Sequence, residues 1–122
     1  MRLTEAAMPP PFLIDVVAGD PGTVGVTVSG EIDMLTATPL HATLVAVANT
    51  RPRSVAVDLA GVPFIDAAGM TALIRAYDHA HRLGVGIGLI NVRPMVVRAL
   101  AVVNLVEHLN VTPHPEIRTC CR

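Results

Sequence analysis

Short β-branched runs alternate with helix-length segments along most of this chain, and that alternation constrains its fold more than any other feature. Thr23 to Ser29 is the clearest run, with Val24, Val26 and Val28 on one face and Thr23, Gly25, Thr27 and Ser29 on the other. Ser54 to Leu59 and Val85 to Ile90 are further strand-length apolar runs. Between them lie segments whose apolar residues recur at helical spacing. A chain that keeps switching between the two periods builds right-handed βαβ crossovers on a parallel sheet.

The elements follow in order. Phe12 to Ala18 is expected as a first strand, and Gly19-Asp20-Pro21-Gly22 as a turn that pairs it antiparallel with Thr23 to Ser29. Thr36 is expected to cap a first helix running to about Thr50, with Pro39 tolerated in its opening turn. Ala37, Leu40, Leu44, Val47 and Ala48 form its core side. Its other side, Thr38, His41, Val45 and Asn49, carries no full charge and could be covered by a partner. Arg51-Pro52-Arg53 breaks the helix before the next strand.

A second helix is expected from Ala67 to Leu83, with Met70, Leu73, Ile74 and Tyr77 inward and Thr71, Arg75, Asp78 and Arg82 outward. Gly84 closes it as a C′ residue. Pro94 opens a third helix to about Val103, and Leu105 to Val111 is expected as the last strand. Residues 1–11 read as a flexible leader, 12–111 as one domain and 112–122 as a tail. The expected fold is α/β: a mixed, mainly parallel sheet of about five strands, the first antiparallel, with three or more short helices mostly on one face.

Composition narrows the function. At 122 residues the chain suits one domain, and 52% hydrophobic residues supply its core. Net charge is −1, so no basic excess exists to neutralise nucleic-acid phosphates. Aromatics, at 2%, are too few for base stacking. All nine basic residues are arginine, which rules out lysine-dependent chemistry, including that of a phosphoreceiver domain built around Asp58. Met1 to Pro11 shows no signal-peptide pattern, and Met34 to Thr50 is too polar to span a membrane, so a cytoplasmic location without membrane attachment is expected.

No enzyme is expected. Carboxylates are plentiful, but no nucleophile–base pair or phosphate-cradling loop accompanies them; Gly84-Val85-Gly86-Ile87-Gly88 precedes a strand instead of following one. His79 and His81 point to different sides of a helix, so no metal site is expected, and no cofactor. Cys120 and Cys121 are adjacent, about 3.8 Å apart at Cα, below the usual disulfide span, and read as free thiols.

The informative segment is Val57-Asp58-Leu59-Ala60-Gly61-Val62-Pro63-Phe64-Ile65-Asp66-Ala67-Ala68-Gly69-Met70. A strand ends, a tight turn presents Phe64 and Ile65 inward, and Asp66 meets the first turn of a helix. Its carboxylate can accept from the N–H of Ala68 or Gly69, and its charge suits the positive helix end. Gly69 lets another backbone approach closely.

This segment resembles the signature of the STAS domain, found in bacterial anti-sigma-factor antagonists and sulfate-transporter tails. Asp58-Leu59, Phe64-Ile65, Asp66, Gly69 and Met70 match its pattern, Ser29-Gly30-Glu31-Ile32-Asp33 resembles a second conserved stretch, and Arg93-Pro94 a third. The resemblance implies a partner-switching module: an antagonist binds an anti-sigma factor that is a GHKL-type serine kinase, releases the sigma factor, and is itself released when phosphorylated just after the motif aspartate. That position is Ala67 here, followed by Ala68, so the phosphoacceptor hydroxyl is lost. Thr71, one helical turn on, is the nearest substitute. By the resemblance, the partner-binding residues are Glu31, Asp33, Asp66, Ala67, Ala68, Gly69, Thr71 and Arg75, with Asp33 and Asp66 meeting arginines of the partner. The expected function is an antagonist held in its binding-competent form. The alternative is a non-phosphorylatable STAS scaffold subunit of a stress-sensing or lipid-transport assembly. Homodimerisation is left open.

Overall fold

The computed structural model describes residues 12–19 and 22–113. The elements are β1 (Leu13–Ala18), β2 (Thr23–Ser29), α1 (Met34–Asn49), β3 (Ser54–Gly61), α2 (Ala67–Arg82), β4 (Gly86–Val92), α3 (Pro94–Val102) and β5 (Val111–Pro113). The strands form one five-stranded sheet in the order β1-β2-β3-β4-β5. β1 is antiparallel to β2, and every later pair is parallel. Right-handed crossovers that always step the same way along a sheet deposit every helix on one face.

That face carries the core. Val26, Val28, Val55, Val57, Leu59, Ile87 and Leu89 from the strands pack with Leu40, Leu44, Leu73, Val96 and Leu100 from the helices in one cluster. Each fully buried leucine contributes roughly 1.5–3 kcal/mol. The opposite face of the sheet carries Gly25, Thr27, Ala56, Asp58 and Gly88 side by side in the strand register, with the exposed Leu13 and Val17 of β1 on the same face.

The core side expected of the first helix is the observed one: Ala37, Leu40, Leu44, Val47 and Ala48 are its buried residues. Its start is not. Asp33, not Thr36, is the N-cap, and Thr36 is the N3 partner of a capping box. The Asp33 carboxylate accepts from the N–H groups of Leu35 and Thr36, while the Asp33 N–H donates to Thr36 Oγ1 at 2.8 Å. The helix therefore begins almost a turn earlier, and Pro39 falls inside it, where it has no N–H to give the Leu35 carbonyl.

In α2 the inward stripe is rotated from expectation. Gly69, Ala72, Leu73, Ala76 and Ala80 are buried, whereas Met70, Ile74 and Tyr77 are half-buried. Small side chains let α2 lie close to its neighbours, and the larger ones rim the contact. Thr71, Arg75, Asp78 and Arg82 are all exposed as expected. Residues 106–110 form turns, and the last strand is Val111–Pro113 in place of Leu105 to Val111. The leader at 1–11 and residues 114–122 of the tail, with Cys120 and Cys121, lie outside the described residues.

Candidate docking site

The site begins where β2 and β3 end. Beyond its ladder with β3, the chain after β2 stays beside the chain after β3: Gly30 N–H donates to Gly61 O at 3.0 Å and Ile32 N–H to Phe64 O at 3.0 Å. Asp66 N–H returns a bond to Ile32 O at 3.1 Å, and Ile32 and Ile65 form an isolated parallel bridge. The two sequence stretches that looked like separate motifs are thus fastened together. Both isoleucines are buried, so the fastening is also apolar.

Gly69 sits under this junction. A β-carbon there would lie 2.5 Å from Ile32 Cγ2, 2.8 Å from Ile65 Cγ1 and 3.0 Å from Ile32 O. Only glycine permits the approach. Gly69 is buried, whereas its neighbours Ala67 and Thr71 are exposed.

Asp66 caps α2 as expected, with Oδ1 accepting from Gly69 N–H at 2.9 Å. The cap fixes Ala67 at the first helical position, exposed, and Ala68 beside it, half-buried. Neither carries a hydroxyl. Thr71 is exposed one turn on, with Oγ1 donating to Ala67 O at 3.0 Å. Asp33 and Asp66 are both half-buried, and Glu31 is exposed. Among the described residues the capping bonds of both aspartates use Oδ1.

Arg75 lies farther along α2. It lines a groove of about 260 Å³ between α1 and α2, together with Thr38, His41, Ala68 and Thr71. His41 and Thr38 were noted in the sequence only as part of an uncharged helix side; the structure turns them toward α2 and into this groove. Asn49, from the same side, accepts at Oδ1 from His79 Nε2 at 2.7 Å and ties the far ends of the two helices.

Apolar side chains crowd the same end of the molecule. Met34 (75% exposed) and Leu35 (85%) open α1, Phe64 (44%) precedes α2, and Met95 (59%) stands at the start of α3. Phe64 was expected inward; its neighbour Ile65 alone turns in, because a tight turn sends successive side chains to opposite sides. No periodic signal marks these residues, since each sits where a helix is beginning.

Asp58, the other motif carboxylate, is structural. Its Oδ1 accepts from Ala60 N–H at 2.9 Å and its Oδ2 from Asn91 Nδ2 at 3.1 Å, tying β3 to β4 on the open face. Asn91 has φ 55°, a left-handed conformation asparagine tolerates well. Arg93 Nε donates to Ala60 O at 2.7 Å and fastens the start of α3 to the end of β3. Among the described residues there is no cluster of metal-binding side chains, and no helix is long and apolar enough to cross a membrane.

The family model described as "Mlab, STAS domain" matches residues 16–112. Among curated protein sequences none matches the chain significantly. Solved structures do. An anti-sigma factor antagonist from Mycobacterium paratuberculosis is 29% identical, with a TM-score of 0.77 over 87% of this chain and 91% of that one. A sulfate transporter family protein from Wolinella succinogenes is 26% identical, with a TM-score of 0.69 over 82% of each chain. An anti-sigma-factor antagonist (STAS) domain protein from Planctomyces limnophilus is 20% identical, with a TM-score of 0.71 over 82% of this chain and 89% of that one, and shares the fold.

Proposed function

Because this chain belongs to the STAS domain family, we propose that it is an anti-sigma-factor antagonist acting in the cytoplasm by binding alone. Its partner is a GHKL-type anti-sigma factor, and binding releases the sigma factor that the partner holds. The docking surface is the outer rim of the fastened turn: Glu31, Asp33, Asp66, Ala67, Ala68, Thr71 and Arg75, with Met34, Leu35 and Phe64 adding apolar contact area. Interfaces of this kind draw most of their energy from a few desolvated apolar anchors, with charges setting specificity and on-rate.

One observation carries this reading: an exposed methyl, Ala67, stands at the first position of a helix capped by Asp66. The helix end offers a partner a fixed, close-packed approach. The methyl cannot acquire the phosphate charge that would end the contact, so the chain stays competent to bind and its control lies in abundance. A titration of the protein with a GHKL-type anti-sigma factor bound to its sigma factor tests this. A stoichiometric complex with sigma release is expected, and ATP should not disperse it. No binding to any such factor would overturn the reading.

The lack of a hydroxyl at Ala67 and Ala68 also favours a second reading, a non-phosphorylatable scaffold subunit of a stress-sensing or lipid-transport assembly. Affinity capture from the native organism separates the two. An anti-sigma kinase as the principal partner supports the first, and a transporter ATPase or a large homo-assembly supports the second.

A further inference from the structure

The groove between α1 and α2 is lined by two basic side chains, Arg75 and His41, and by no carboxylate. Arg75 is exposed and, among the described residues, has neither an ion pair nor a hydrogen bond through its side chain. The acid nearest along its helix, Asp78, faces His108 instead, at 3.9 Å. Thr71, one turn before Arg75 on its own side, is a neutral hydroxyl. Thr38 and Thr71 add hydroxyls to the lining beside Ala37, Ala68 and Ala72, and among the described residues no carboxylate pairs with the guanidinium.

The rim on the other side of Ala67 has the opposite sign. Glu31, Asp33 and Asp66 gather there through the Ile32–Ile65 fastening. The docking surface is therefore divided, acidic at the capped turn and basic in the groove, with Ala67 and Ala68 between. Asp66 and Arg75 are separated along the helix by roughly 13 Å, at about 1.5 Å per residue.

Resting on the antagonist reading above, we infer that the anti-sigma partner inserts an acidic side chain, aspartate or glutamate, into the groove between α1 and α2, where it pairs with Arg75 beside His41. The same partner surface carries its basic residues on the other side, toward Asp33 and Asp66. Two charge contacts of opposite sign fix the direction in which the partner lies across α2. A uniformly basic partner surface would meet Arg75 with repulsion, so the groove also selects against wrong partners.

The test measures affinity for a GHKL-type anti-sigma factor that binds the wild-type chain. Arg75→Gln is expected to weaken binding about tenfold and Arg75→Glu roughly a hundredfold or more, mainly through faster dissociation. Arg82→Glu, the same charge change on the same helix outside the groove, is the control and should stay within about twofold, as remote surface charges do. Reversing the partner's acidic residue to arginine should restore binding to Arg75→Glu. Thermal denaturation of each variant separates lost binding from a folding defect, and Arg75→Gln offers a milder second variant. Wild-type affinity retained by Arg75→Glu would overturn this inference and leave the antagonist reading standing. Failure of the wild-type chain to bind any GHKL-type anti-sigma factor would overturn both.

Discussion

Gly69 and Ile32 pack so closely that any side chain at Gly69 would collide with the isoleucine: an added β-carbon would lie 2.5 Å from Ile32 Cγ2. The contact joins the turn after β2 to the first turn of α2. It sets the height of Asp33 and Asp66 relative to each other, and with it the shape of the docking rim. A buried residue thus controls the geometry of exposed ones.

Gly69→Ala is expected to destabilise the fold by about 1–3 kcal/mol, the usual cost of overpacking a well-filled site. Denaturant unfolding measures it. The larger Gly69→Val should cost more and also weaken binding, because α2 must shift to admit it. Unchanged stability in both variants would contradict the close approach.

Asp66 combines a cap and a charge, and two substitutions separate them. Asn caps as well as Asp, so Asp66→Asn should cost only a few tenths of a kcal/mol, whereas Asp66→Ala should cost about 0.5–2 kcal/mol. If the carboxylate also meets a partner arginine, Asp66→Asn should weaken binding while thermal stability holds. Equal binding by wild type and Asp66→Asn would reduce Asp66 to a structural cap.

Ala67→Ser restores a hydroxyl at an exposed first helical position. Incubated with ATP and the cognate kinase, this variant should gain one phosphate by intact mass, and the wild-type chain none. The new group adds roughly −1.5 to −2 charge beside Asp66, so the complex should dissociate. The fold itself should tolerate it, because a helix N-terminus favours negative charge. Phosphate on the wild-type chain, at Thr71 for instance, would end the view that it is locked.

Pro39→Ala should stabilise the protein. It returns an N–H to the Leu35 carbonyl and removes a ring from a helix interior, a gain of about 1–2 kcal/mol after allowance for the more flexible unfolded chain. A lower midpoint in thermal unfolding would mean that the proline serves packing instead.

Much of the fold was legible in the amino-acid order because local rules act there without competition. The alternation of Val24, Val26 and Val28 with small polar residues left one strand face to bury, and the buried side of α1 followed from 3.6-residue spacing alone. Asp66 announced its cap because an acidic residue before a helix-length run has few other uses. The start of α1 is ambiguous in sequence for a related reason: Asp33 and Thr36 are both good caps, and only the reciprocal hydrogen bonds decide between them. The inward stripe of α2 is not legible from residue size, because close helix packing selects Gly69, Ala72 and Ala76.

The sequence by itself determined the order of elements, the one-sided layering that right-handed crossovers impose, and the absence of a hydroxyl at Ala67. Tertiary structure alone decided which distant residues come together: Ile32 against Gly69, Asp58 bonded to Asn91, and His41 and Arg75 lining one groove. Spacing along a chain fixes the face of a strand or helix, whereas the contact between faces depends on how closely whole elements approach, and that distance is set by the side chains of both at once.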